Sequence, residues 1–72
     1  MKEIILSDGT KVEMRKPKVR DMRAVDNITN EMEREIKLFA NLTGLSVDKI
    51  EDMYMDDYAK LQEAYLGLVS GE

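Results

Sequence analysis

Apolar residues occupy every second position near the start of the chain. Ile4 and Leu6 precede Ser7-Asp8-Gly9, Val12 and Met14 follow it, and charged residues fill most of the places between. Such alternation marks a half-buried strand, and Asp-Gly supplies the left-handed residue that a tight reversal needs, so the segment reads as a β-hairpin. Loop length then sets the register. A two-residue loop at Asp8-Gly9 places Ile5 opposite Val12 and leaves Ile4 and Leu6 sharing a face with Lys11 and Glu13. A three-residue loop with a bulge at Gly9 gathers Ile4, Leu6, Thr10, Val12 and Met14 on one face, and is favoured because it separates apolar from polar. Glu3, Ile5, Lys11, Glu13 and Arg15 form the other face, and a hairpin so one-sided needs helices to cover it.

Past the hairpin the period lengthens to three and four. Helix one is predicted from near Pro17, whose missing N–H suits a first turn, with Val19, Met22, Val25 and Ile28 as its apolar stripe. Helix two is predicted from Glu31 to Thr43. Met32, Ile36, Phe39, Ala40 and Leu42 form its buried face, Asn30 with Glu33 marks its start, and Gly44 is placed to end it. Met14, Met22 and Met32 are read as core. Ser46 caps a short third helix over Val47 to Asp52, with Leu45 packing back on Val47 or Ile50. Asp56 or Asp57 caps the last helix, where Tyr58, Leu61, Tyr65 and Leu68 form a seam of the kind that packs on another helix, and Gly67 and Ser70-Gly71 weaken its end. The fold class expected is α+β, an N-terminal β-hairpin followed by three to four short α-helices packed on one face. A single domain spans residues 1–72, with the hairpin over 1–16 and the helical part over 17–72.

Composition narrows the chemistry. The chain has no Cys and no His, so zinc fingers, disulfides, thiol nucleophiles and imidazole bases lack their atoms, and no enzyme, metal or cofactor is expected. No run approaches the roughly 18 apolar residues of a membrane span, and Met1-Lys2-Glu3-Ile4 does not open a signal peptide, so a soluble cytoplasmic protein is expected. A chain this short buries only about 60% of its unfolded surface. Its stability is then marginal without a partner or self-association.

Charge is unevenly spread: residues 1–23 carry a net +3 and residues 24–72 a net −7. Arg15, Lys16, Lys18, Arg20 and Arg23 could bind phosphates, which keeps open a small nucleic-acid-binding regulator or antitoxin-like repressor using residues 15–23. Overall acidity and the Asp21 within the cluster argue against nucleic acid as a partner. The acids Asp48, Glu51, Asp52, Asp56 and Asp57 lack the spacing of a calcium loop and are read as helix caps and solvated surface. They also make the third helix a poor recognition helix. Ser46 lacks the Asp-Ser-Leu setting of an acyl carrier attachment site. Met53-Tyr54-Met55 obeys neither period, so Tyr54 or Met55 is expected at the surface.

Several segments can be taken together: Leu6-Ser7-Asp8-Gly9, the run Arg15-Lys16-Pro17-Lys18-Val19-Arg20-Asp21-Met22-Arg23, Glu33-Arg34-Glu35-Ile36, Leu42-Thr43-Gly44-Leu45, and Asp57-Tyr58-Ala59-Lys60-Leu61-Gln62. In order, length and composition the chain resembles the tail assembly chaperones of long-tailed bacteriophages, in the Mu-like branch. The resemblance implies a non-catalytic protein that binds the tape measure protein, a long helical client, and keeps it soluble until the tail tube polymerises around it. It also implies that a chain ending at Gly71-Glu72 corresponds to the short form where a frameshifted longer form exists. The partner-binding residues expected are Ile36, Phe39, Tyr54, Met55, Tyr58, Leu61, Tyr65 and Leu68, on a helical face that packs within the chain or serves self-association and the client. Arg20 and Arg23 are expected as secondary polar contacts.

Overall fold

The Leu6 amide donates to the Thr10 carbonyl at 2.9 Å and the Gly9 amide to the Leu6 carbonyl at 2.9 Å, closing a three-residue loop in which Gly9 has φ +89°. That is the favoured register. In this computed structural model, which describes residues 1–71, β1 (Lys2–Ile5) pairs antiparallel with β2 (Lys11–Met14), and Ile4 faces Val12. Ile4, Leu6, Val12 and Met14 are buried on one face, while Thr10 lies exposed at the loop. Four helices follow: α1 (Val19–Ala24), α2 (Glu31–Thr43), α3 (Val47–Glu51) and α4 (Met55–Val69). The architecture is α+β. The helices α2 and α4 cover the apolar face of the hairpin, α2 lying mainly on β2 and α4 mainly on β1.

The predicted span of α2 holds at both ends. Asn30 Oδ1 accepts the Glu33 amide at 2.9 Å, and Gly44, with φ +79°, sends its own amide to the Ala40 carbonyl. Both devices satisfy backbone groups that a helix end leaves without partners. In α3, Ser46 Oγ accepts the Lys49 amide at 3.1 Å, and the helix stops at Glu51, one residue before the expected Asp52. Leu45 and Val47 pack half-buried against the core, where Ile50 is buried.

The start of α1 differs from expectation. Its first residue is Val19, and Pro17 lies outside, because the Asp21 carboxylate turns back to accept the Lys18 amide at 2.7 Å. The same carboxylate takes both Arg15 guanidinium nitrogens at 2.7 Å, in the forked geometry that makes such pairs strong. Six residues make fewer than two turns. Directing Asp21 and the following Val25 inward therefore turns Val19 (78% exposed) and Met22 (45% exposed) outward, and of the predicted stripe only Val25 is fully buried, with Ile28 partly so. Met14 is core, as expected. Met22 and Met32 (51% exposed) are not, Met32 because it sits in the first turn of α2, ahead of the stretch from Ile36 to Leu42 that meets the core.

Nor do Asp56 and Asp57 cap α4, whose flanking residue is Tyr54. Asp57 lies buried in the first turn and accepts the Ser7 amide at 2.9 Å and the Ser7 hydroxyl at 2.7 Å, while Asp56 Oδ1 accepts the Asp57 amide at 3.0 Å. The helix passes Gly67 unbroken, with the Lys2 side chain lying over that residue.

Candidate protein-binding surface

The apolar seam of α4 points into the molecule. Phe39 is fully buried between two tyrosines, its ring centroid 5.8 Å from Tyr58 and 5.6 Å from Tyr65. Ile36, Tyr58, Leu61 and Leu68 are buried in the same cluster, and Tyr65 is half-buried with its hydroxyl 3.8 Å from the Met22 sulfur. The Tyr58 hydroxyl and the Gln62 amide both donate to Glu35 Oε1. Burial, and then the Glu35 carboxylate, push the Tyr58 hydroxyl well above its ordinary pKa, so it stays protonated and remains a donor. Six of the eight apolar residues singled out from the sequence thus pack within or against the chain's own core. Tyr54 (77% exposed) and Met55 (67% exposed) stand at the surface, as expected for a stretch that followed neither period.

Apolar surface does remain outside the core, gathered by the segments that join helices. Where the first turn of α2, the short α3 and the start of α4 converge, a groove of about 470 Å³ opens. Buried Ile36, Ile50 and Tyr58 form its floor, and Met32, Met53 and Met55 its walls. Glu33 and Glu51 stand at its margin. Three thioethers around one groove make an adaptable apolar lining, and two carboxylates beside it favour a cationic visitor. Sequence periodicity assigned Met32 to the core and so missed its place here. Its position in the opening turn, ahead of the main apolar run, was the available signal.

The basic segment divides. Arg15 is held by Asp21, whereas Lys16, Lys18, Arg20 and Arg23 are exposed around α1. Arg15 first, then the Lys18 amide, hold the Asp21 carboxyl far below the usual carboxylate range. Among the described residues, no three His, Cys, Asp or Glu side chains come together in a way that could hold a metal ion, and no helix is long and apolar enough to cross a membrane.

A groove walled by methionines with carboxylates at its margin suits contact with an apolar, basic segment of another protein. Residues 5–70 match the family described as "Phage tail assembly chaperone proteins, E, or 41 or 14". The chain belongs to this family. The match runs from the hairpin to the end of α4 and so includes every residue of the groove. As a tail assembly chaperone, the chain belongs with proteins that act in building the phage tail. No curated protein and no solved structure matches the chain.

Proposed function

We propose that this tail assembly chaperone binds the tape measure protein in the host cytoplasm and keeps it soluble until the tail tube polymerises around it. The observation that carries the reading is the groove walled by Met32, Met53 and Met55. An amphipathic client helix laid there would bury residues spaced by three and four, while its basic neighbours meet Glu33 and Glu51. Methionine side chains adapt to varied apolar partners, which suits a client presenting many similar but unequal helical segments. Tyr54, next to the groove, extends the contact, and Arg20 and Arg23 on α1 offer a second, polar contact for acidic stretches of the client. So small a groove gives a modest interface, which favours release when tube subunits arrive.

Co-expression with a tape measure fragment tests the proposal. The wild-type chain is expected to hold the fragment in the soluble fraction. Met32→Asp with Met55→Asp is expected to lose that effect while the circular dichroism spectrum stays native, since both side chains are exposed. A folded double variant that solubilises the fragment as well as the wild type would overturn the groove assignment.

A further inference from the structure

The two outer edges of the hairpin differ. Because Leu6 bonds Thr10 across the pair, the even-numbered strand residues turn their amides and carbonyls inward to the ladder and Glu3, Ile5, Lys11 and Glu13 turn theirs outward. On the β1 side the outward carbonyl of Ile5 accepts Lys60 Nζ at 3.1 Å, so α4 guards that edge. On the β2 side the outward amide of Arg15, just past the strand, donates to the Leu42 carbonyl of α2 at 3.1 Å. The open stretch is Lys11 to Glu13, where no described group bonds to the amide or carbonyl of Lys11 or Glu13. A groove of about 470 Å³ runs along this edge, bounded opposite by Leu42, Thr43 and Leu45.

We propose that the outer edge of β2 pairs antiparallel with the same edge of a second copy, about a two-fold axis through Val12, joining two hairpins into one four-stranded sheet. The strand's charges select both the partner and the register. With the axis at Val12, Lys11 faces Glu13 of the second copy and Glu13 faces its Lys11, and both residues carry the outward backbone groups that hydrogen-bond across a new ladder. An axis at Lys11 or at Glu13 instead sets like charges face to face. Within one chain Glu3 lies directly opposite Glu13, and Lys11 sits 3.4 Å from Glu3, so the cation of a second copy relieves a repulsion the single hairpin leaves in place. Val12, buried on the underside, meets its own counterpart there.

Sedimentation velocity over a concentration series reaching the millimolar range tests the pairing. A monomer–dimer equilibrium is expected. Lys11→Glu alone and Glu13→Lys alone are each expected to raise the dissociation constant about tenfold, since each change turns two attractive cross-strand pairs repulsive. The double variant Lys11→Glu with Glu13→Lys is expected to restore it. Both positions are exposed in the single chain, so the variants should stay folded by circular dichroism, with Lys11→Glu melting lower because it loses the contact with Glu3. A monomer at every concentration, a dimer indifferent to the single reversals, or a double variant no better than either single one would overturn the proposal. The β2 edge shares no residue with the methionine groove, so client solubilisation and dimerisation fail independently.

Discussion

Ser7 and Asp57 are 50 positions apart in sequence and are joined by two hydrogen bonds, from the Ser7 amide at 2.9 Å and its hydroxyl at 2.7 Å. The pair ties the tip of the hairpin to the first turn of α4. Lys60, one turn along that helix, adds a contact to the same carboxylate at 3.3 Å. Replacing Ser7 with Ala removes the hydroxyl donor and leaves the amide bond. A fall in melting temperature of about 5 °C is expected in a domain of this size, read by circular dichroism. Unchanged melting would mean that water replaces the hydroxyl without loss.

Acid should unfold the protein through two carboxylates. Arg15 chiefly holds the Asp21 carboxyl down, and the Ser7 hydroxyl chiefly lowers that of Asp57. Each is depressed in the folded state, so its contribution is fully present above the ordinary value of 3.8 and drains away as pH falls through the lowered folded values. Melting temperature is expected to be flat from neutral pH to about pH 5 and to drop steeply below pH 4. In Asp21→Asn the drop should be shallower and start from a lower plateau. A variant with the wild-type acid profile would remove Asp21 from this account.

Truncating Phe39 to Ala takes away the ring between Tyr58 and Tyr65. Losses of roughly 3–5 kcal/mol are usual for such a change, which leaves little of the stability a domain of this size holds. Urea titration is expected to find the variant largely unfolded in buffer. Leu61→Asp, at a fully buried position, should behave likewise, whereas Leu66→Asp on the exposed side of the same helix should remain folded.

Asn30 is the side-chain cap of α2, which carries Ile36, Leu38, Phe39, Ala40 and Leu42 into the core. Asn30→Ala is expected to cost about 1 kcal/mol in urea unfolding, and Asn30→Asp or Asn30→Ser to cost far less. Equal losses in all three would show that the cap bond is not what the residue contributes.

Local signals made some of these features readable from the chain alone. The span of α2 was legible because Asn30 and Gly44 act within a few residues of themselves, and the hairpin register because a one-residue slip would bury Lys11 and Glu13. The face of α1 was not, since hydrophobicity alone cannot anticipate a carboxylate drawn inward by Arg15. Asp57 misled for a related reason: its partner lies in the hairpin, far outside any helical window. The seam at Tyr58, Leu61, Tyr65 and Leu68 obeys one period whether it meets a partner or the chain's own α2, and only the packed structure chooses. Tyr54 and Met55 were legible as exposed because they fit no period at all.

The thioethers that wall the groove have a chemical vulnerability that the core does not share. Mild peroxide should convert Met32 and Met55 to sulfoxides well before it reaches Met14, which is fully shielded. Sulfoxides there would make an oily cleft polar while leaving the scaffold standing, so an oxidised but still folded chaperone should lose its grip on an apolar helix and regain it after enzymatic reduction.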